Sequence, residues 1–114
     1  MTWSRAEEFC QEQGGNLASV TSDATNDYIV SELKRRDHNI WIGGSDKDSE
    51  GIWRWSDGST WGFTNWGILN GKQQPNNQGG QNCIEYEKRT WKWNDIICDE
   101  YKRRFLCSRK LSSG

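Results

Sequence analysis

Residues 83–98 read CIEYEKRTWKWNDIIC, and this stretch sets the character of the second half of the chain. Apolar and polar residues alternate in Cys83–Tyr86 and again in Thr90–Trp93, which is the pattern of short β-strands. A cysteine stands at each end of the stretch. These residues therefore predict two strands between Cys83 and Cys98.

The chain has four cysteines, and the other two are Cys10 and Cys107. None belongs to a Cys-x-x-Cys pair and His38 is the single histidine, so the closely spaced ligands of a zinc site are missing. An even number of widely spaced cysteines in a small Trp-rich chain indicates two disulfides formed in an oxidising compartment. Spacing alone leaves all three pairings open.

Further secondary structure is predicted on both sides of His38. After it, strands are expected at Ile40–Ile42, ending at Gly43-Gly44, at Ile52–Trp55 and at Arg104–Cys107. Before it, Ser4–Glu7 has the form of a capping box for a first helix, which Gly14-Gly15 ends. Thr21 or Ser22 can cap a second helix. The predicted inward faces are Ala6, Phe9, Cys10 and Gln13 in the first helix, and Ala24, Tyr28, Ile29 and Leu33 in the second. Helices followed by short antiparallel strands predict an α+β fold.

The pattern lapses between Ser56 and Asn82, a polar stretch that holds the only proline, Pro75. A structureless loop of this length in a compact domain is either functional or disordered. Trp61, Phe63 and Trp66 can pin the loop to the body of the domain. We therefore expect an ordered, functional loop.

The composition fits one small domain of 114 residues, with eight Trp supplying much of the core volume. The net charge is −1, and no basic run is interleaved with aromatics, so nucleic-acid binding is not expected. We interpret Lys102-Arg103-Arg104 as a solvated strand edge. No apolar run reaches transmembrane length, so membrane insertion of this segment is not expected either. Residues 1–110 are predicted to form the domain and residues 111–114 a tail or linker.

Several short motifs occur in one order along the chain, and with them it resembles the C-type lectin-like family over nearly its whole length. They are Trp41-Ile42-Gly43-Gly44, Trp53 and Trp55, Asp57-Gly58-Ser59, Phe63-Thr64-Asn65-Trp66, Gln74-Pro75-Asn76 and Trp93-Asn94-Asp95. The resemblance implies two helices with short antiparallel sheets, a long polar loop, and the disulfides Cys10–Cys107 and Cys83–Cys98. It also implies a secreted or extracellular recognition module, as part of a larger protein.

The resemblance further implies a calcium site, because family members that bind sugar hold the ion on five side chains. These map to Gln74, Asn76, Gln81, Asn94 and Asp95, and Pro75 stands where the family has a cis proline. Only Asp95 is a carboxylate here. Since calcium affinity falls with the number of charged ligands, we expect weak binding. An accessory calcium position of some relatives would use Asp46 and Glu50, but Asn77 and other amides replace its remaining acids. We expect that position to be empty.

The leading functional hypothesis is a glycan-binding module, assisted by calcium and of relaxed sugar specificity. The Gln-Pro-Asn triplet offers amide donors on both sides, which selects neither a mannose-type nor a galactose-type sugar. The alternative is a calcium-independent domain that binds a protein or polymer partner, and ice binding is a third hypothesis by fold analogy alone. An enzyme is not expected, because His38 stands alone and no catalytic motif occurs.

Overall fold

The computed structural model describes residues 1–49, 51–69, 72–75 and 82–109. Within these residues the chain forms two α-helices and nine short β-strands, which confirms the α+β prediction. The helices are α1 (Trp3–Glu12) and α2 (Asp23–Leu33). The strands are β1 (Gly15–Leu17), β2 (Ile40–Ser45), β3 (Arg54–Trp55), β4 (Ile68–Leu69), β5 (Lys72–Gln73), β6 (Asn82–Glu87), β7 (Lys92–Ile97), β8 (Arg104–Phe105) and β9 (Cys107–Arg109).

Helix α1 begins earlier than the predicted capping box. Its N-cap is Thr2, whose side chain accepts a hydrogen bond from the Arg5 N–H, so the prediction of a cap at Ser4 was wrong. The buried residues are Trp3, Ala6, Glu7 and Cys10. Trp3 and Glu7 therefore lie on the inner face together with Ala6 and Cys10. Phe9 and Gln13, which were predicted to face inward, are exposed, Phe9 to 37%. Gly14, with φ +88°, follows the helix end as expected.

Helix α2 is capped by Ser22, whose Oγ accepts a hydrogen bond from the Thr25 N–H at 3.1 Å. Ile29 and Leu33 are buried as predicted, but Ala24 is exposed and Tyr28 is 68% exposed. A polar residue, Asn26, faces inward in their place. Its Oδ1 accepts hydrogen bonds from the Tyr86 hydroxyl and from Asn65 Nδ2.

The central sheet of the described chain has the order β3-β2-β6-β7, and β8 pairs in parallel with the start of β2. Strands β6 and β7 form a regular antiparallel pair from Asn82↔Ile97 to Glu87↔Lys92. Strand β1 pairs with β9, and β4 pairs with β5. Strand β7 thus starts two residues later than predicted and continues through the Trp-Asn-Asp motif. Thr90 and Trp91 lie in the preceding turn, where Trp91 has φ 55°.

Gly43 and Gly44 lie inside β2 instead of ending it. A Cβ atom on Gly43 would lie 2.6 Å from the Leu17 carbonyl oxygen and 2.9 Å from Ser56 Oγ, and one on Gly44 would overlap the Ile84 side chain. The two glycines are therefore required by close packing of neighbouring segments against the strand.

In its described part, the long polar loop packs through Trp61, Phe63 and Trp66 against the body of the domain, as predicted. Trp93 lies at the centre, and its ring centroid is 5.8 Å from that of Trp61, 5.9 Å from Phe63 and 5.6 Å from Trp66. The cluster also includes Trp55, at 5.4 Å from Trp93. These rings hold the segment that leads to Gln74 against the central sheet.

Both disulfides have the pairing that the resemblance implied. Cys10–Cys107 joins α1 to β9, and Cys83–Cys98 joins β6 to the residue that follows β7. The described residues hold no free cysteine.

Candidate functional site

The Gln74-Pro75 segment is anchored to β7 by a chain of backbone hydrogen bonds. Gln74 N–H donates to the Gly67 carbonyl oxygen at 2.9 Å, and Gly67 N–H donates to that of Trp93 at 3.0 Å. The Gln74–Pro75 peptide bond is cis, and Gln74 is buried. The loop is thereby held beside the strand that carries Asn94 and Asp95.

Asp95 lies on the same face of β7 as Trp93, because side chains two residues apart in a strand share a face. It is 3% exposed and stands opposite Ile84 of β6. Asp95 thus follows by two positions Trp93, the residue whose carbonyl oxygen anchors Gly67 and, through Gly67, Gln74.

Asn94 lies on the opposite face of β7, across from Glu85. Its Nδ2 donates a hydrogen bond to Glu85 Oε2 at 2.9 Å. Only the amino end of an amide can donate to a carboxylate, so Glu85 fixes the orientation of the Asn94 amide and directs its oxygen away. Glu85 is itself 2% exposed and accepts further hydrogen bonds from Arg103 Nε at 2.9 Å and Asn39 Nδ2 at 3.3 Å.

Asp46, expected at the accessory position, joins two strand ends. Its Oδ1 accepts a hydrogen bond from Asn82 N–H at 2.9 Å, and its Oδ2 accepts one from Gly51 N–H at 3.1 Å. The carboxylate is 1% exposed. Asp46 thus accepts hydrogen bonds from the first residue of β6 and from the turn that precedes β3. Of the other predicted ligands, Asn76, Gln81, Glu50 and Asn77 lie outside the described residues, as do residues 110–114.

Comparison with known proteins decides the family. The sequence profile of the lectin C-type domain family matches residues 1–109. The chain belongs to the C-type lectin domain family. This is a family of binding domains, and the match covers all of the elements described above.

Individual relatives of this lectin domain agree with the profile. It is 36% identical over 115 residues to the galactose-specific lectin nattectin of Thalassophryne nattereri, covering 97% of this chain and 69% of that protein. Among solved structures, the cow C-type carbohydrate-recognition domain of CD23, determined in the presence of GlcNAc2Man3 oligosaccharide, superposes with a TM-score of 0.83 at 29% identity. That match covers 98% of this chain and 82% of the other. A calcium-independent type II antifreeze protein superposes with a TM-score of 0.77 at 30% identity, covering 94% of this chain and 77% of the other.

The donors that the lectin domain offers to a cation match calcium in kind but carry little charge. Asp95 is a carboxylate, whereas Gln74 and Asn94 offer amide oxygens, and calcium prefers oxygen ligands. Over the described ranges, no three His, Cys, Asp or Glu side chains converge into a metal site. The described donors thus match calcium in chemical kind, whereas Asn94 and Asp95 lie on opposite faces of β7.

Glu85 is the site residue that sequence reasoning missed. In the alternating pattern Glu85 stands between the apolar Ile84 and Tyr86, so the pattern predicts that it is exposed to solvent. Its partners Asn39 and Arg103 are 46 and 18 residues away. Pairing the two predicted strands in register would have placed Glu85 opposite Asn94, and this position could have identified it.

Asp57 of the family's central segment anchors the start of the long loop. It accepts hydrogen bonds from Ser19 Oγ at 2.7 Å and from Ser59 N–H at 2.8 Å. Partial burial acts to raise the pKa of Asp57, but these hydrogen bonds outweigh it and hold the pKa below its ordinary value of 3.8. The carboxylate is thus charged at neutral pH and ties the loop to the connection between β1 and α2.

No helix in the described part of the lectin domain is long and apolar enough to span a membrane.

Proposed function

We propose that the domain recognises carbohydrate through the loop that carries Gln74, assisted by a weakly bound calcium ion. The observation that supports this proposal is the anchoring of Gln74-Pro75 through Gly67 onto β7 at Trp93, two residues before the buried Asp95. Membership in the lectin family and the likeness to domains named for galactose and oligosaccharide support a glycan as the ligand class.

In this proposal, oxygen atoms of Gln74, Asn76, Gln81, Asn94 and Asp95 hold the ion. When bound, calcium would supply a positive centre for the hydroxyl oxygens of a sugar. The hydrogen bond from Asn94 to Glu85 leaves the amide oxygen of Asn94 as the atom that can bind a cation, although Asn94 and Asp95 lie on opposite faces of β7. The carboxylate of Asp95 supplies the single negative charge of the set.

We propose relaxed sugar specificity on chemical grounds. A residue whose amide oxygen binds the ion presents its NH₂ group as a donor. With amides at Gln74 and Asn76, both flanks of a bound sugar meet donors. A hydroxyl that binds calcium and accepts one such bond has no acceptor for its own proton, and an unmade hydrogen bond costs about 1–3 kcal/mol. Weak binding to several neutral hexoses follows.

We place this activity outside the cell, in a secreted or extracellular protein. Two disulfides close the domain, and such bonds persist in oxidising compartments.

The first test is a thermal melt of the oxidised domain in excess chelator and again in calcium. For a dissociation constant of about 1 mM, ~10 mM calcium adds about 1.4 kcal/mol to stability. This corresponds to a rise of about 5 °C in Tm for a domain of this size. Asp95→Asn should abolish the rise, whereas Asp27→Asn, an exposed position on α2, should keep it.

The second test is a glycan array probed with and without calcium. Signals for neutral hexoses that require calcium and disappear in Asp95→Asn would support the proposal. An absent thermal shift together with an array that stays silent in calcium would refute it.

A second candidate is calcium-independent binding of a protein or polymer partner. The low charge of the ligand set favours it, and so does the likeness to an antifreeze protein described as calcium-independent. Chelator-insensitive capture of a partner, without any calcium-induced change in Tm, would select this function.

A further inference from the structure

A basic pocket of about 460 Å³ lies where β2 starts and β6 ends. Its charged lining comes from three separate segments of the chain, namely Asp37 and His38, then Lys88, then Lys102, Arg103 and Arg104. Neither Gln74 nor Asn94 nor Asp95 lines it. The pocket is therefore separate from the proposed calcium loop.

The positive charge of this pocket is a local feature and does not follow from composition. The whole chain has a net charge of −1, with 15 basic and 16 acidic residues. Four Lys and Arg residues nevertheless share one pocket with the single carboxylate of Asp37. A pocket that carries an excess of one sign of charge concentrates ions of the opposite sign.

Two of the four cations are engaged by neighbouring carboxylates. Lys88 Nζ lies 3.5 Å from Asp37 Oδ1 at the surface, and Arg103 Nε lies 2.9 Å from Glu85 Oε1 in the half-buried wall. Lys102 and Arg104 are exposed and form no ion pair with any residue that the structure describes. These two side chains are thus available to a ligand.

The chemistry of the lining selects the ligand class. A guanidinium binds the oxygens of sulfate or carboxylate in a two-pronged geometry, and an ammonium adds a point charge. The lining contains no Trp, Tyr or Phe, so the pocket lacks the stacking surfaces that single-stranded nucleic acids use. Its volume lies in the range of small-ligand sites.

We propose that this pocket binds an anionic glycan through sulfate or carboxylate groups, without calcium. Lys102 and Arg104 make the direct contacts, and Arg103 forms the wall, where Glu85 holds it in place. The site is additional to the calcium loop and requires no bound calcium.

The test is direct binding of the intact oxidised domain to a heparin-derived tetrasaccharide in excess EDTA, at low and at near-physiological salt. We expect saturable binding that weakens as salt rises. The double variant K102A/R104A should weaken binding about tenfold or more, because each lost contact is a hydrogen bond to a charged group.

The matched control is K34A/R35A, which removes the same charge from exposed positions that do not line the pocket. Binding by this control should stay within about twofold of the unmodified domain, since unpaired surface charges contribute little individually. An equal loss in the two double variants would overturn the proposal, as would an absence of saturable binding at low salt. Thermal melts of both variants confirm that they are folded.

Two further comparisons complete the experiment. A tetrasaccharide of hyaluronan carries carboxylates without sulfate, so its affinity relative to heparin tells which group the pocket prefers. Asp95→Asn should leave heparin binding unchanged, which separates this site from the calcium loop. A changed affinity for heparin in an Asp95→Asn variant that melts like the unmodified domain would place the anion at the loop and refute the pocket assignment.

Discussion

Glu7 is a buried carboxylate on the inner face of α1, 7% exposed. Its Oε1 accepts hydrogen bonds from Leu17 N–H at 2.9 Å and Ser56 Oγ at 2.8 Å. Its Oε2 accepts them from Asn16 Nδ2 at 2.7 Å and Gln11 Nε2 at 2.6 Å. One side chain thus joins the first helix to β1 and to the residue that follows β3.

Removing this carboxylate should cost much more stability than its position on a helix implies. Glu7→Ala leaves a buried backbone donor and neighbouring polar groups unpaired, and we expect a loss of about 3 kcal/mol in the free energy of unfolding. Glu8→Ala, at an exposed neighbouring position, should stay within about 0.5 kcal/mol of the original. Urea denaturation of both variants measures the difference, and similar midpoints would contradict the role given to Glu7.

Tyr86 should ionise far above the ordinary range of a tyrosine. Its side chain is fully buried, and this burial raises the pKa to about 12, with the indole of Trp93 acting in the opposite direction. Because the folded-state pKa lies above the unfolded value of 10.0, the stabilising contribution is present below pH ~10 and is lost as the pH rises through about 12.

An ultraviolet titration of tyrosinate measures this shift. The difference between the unmodified domain and Tyr86→Phe should contain a step near pH 12. A difference step centred near the ordinary value of 10.0 would show that Tyr86 is accessible to solvent.

At the residue scale, the sequence indicated which residues are candidates for the site, but not which distant residues they contact. Asp95 was predicted as a ligand from the Trp-Asn-Asp motif; it is 3% exposed, and its role as a ligand stays a prediction. Glu7 and Glu85 were missed as buried groups because local alternation and helical periodicity treat any glutamate as a surface residue. What buries them is contact with segments distant in the chain, such as Ser56 for Glu7 and Arg103 for Glu85.

At the scale of elements, β2 depends on two residues without side chains. A methyl group on Gly43 meets the Leu17 carbonyl and Ser56 Oγ, so Gly43→Ala should cost about 1–3 kcal/mol through overpacking. Gly62→Ala is the matched control, because a Cβ there meets no atom within 4 Å and the backbone φ is not positive. Thermal melts compare the two, and equal Tm values would show that β2 can move to accommodate the methyl group.

The start of β7 shows why the pattern misled at this scale. Residues 90–93 alternate like a strand, yet Thr90 and Trp91 form a turn. The Glu87 carboxylate accepts hydrogen bonds from the backbone N–H groups of Arg89, at 3.1 Å, and Thr90, at 3.2 Å. These bonds close the turn and override the strand preference of the two residues. Ser22, one of the two cap candidates predicted for α2, is the N-cap, whereas the equally local pattern at Ser4 misplaced the start of α1 by two residues.

At the scale of the whole molecule, the two disulfides should contribute unequally. Cys10–Cys107 closes a separation of 97 residues and Cys83–Cys98 one of 15. On the chain-entropy account their contributions are about 4.7 and 3 kcal/mol. We expect C10A/C107A to be less stable than C83A/C98A by about 1.7 kcal/mol on this account. Chemical denaturation of the two double variants gives the order, and a reversed order would indicate that local packing around Cys83 dominates.

The overall fold could be predicted because the family motifs occur in the correct order along the chain, and this order also implied the disulfide pairing. The basic pocket could not be predicted in the same way. Its charged groups at positions 37–38, 88 and 102–104 meet only after β2, β6 and β8 have assembled. Each segment by itself reads as an ordinary charged surface.

The hydrogen-bonded series from Arg103 through Glu85 to Asn94 joins the basic pocket to the proposed calcium loop. An anion that drew Arg103 away from Glu85 would also loosen the amide of Asn94. Linkage then requires that calcium and the anion weaken each other's binding by the same factor. The fraction of the domain that carries calcium or the anion would then depend on the ratio of the two concentrations more than on either concentration alone.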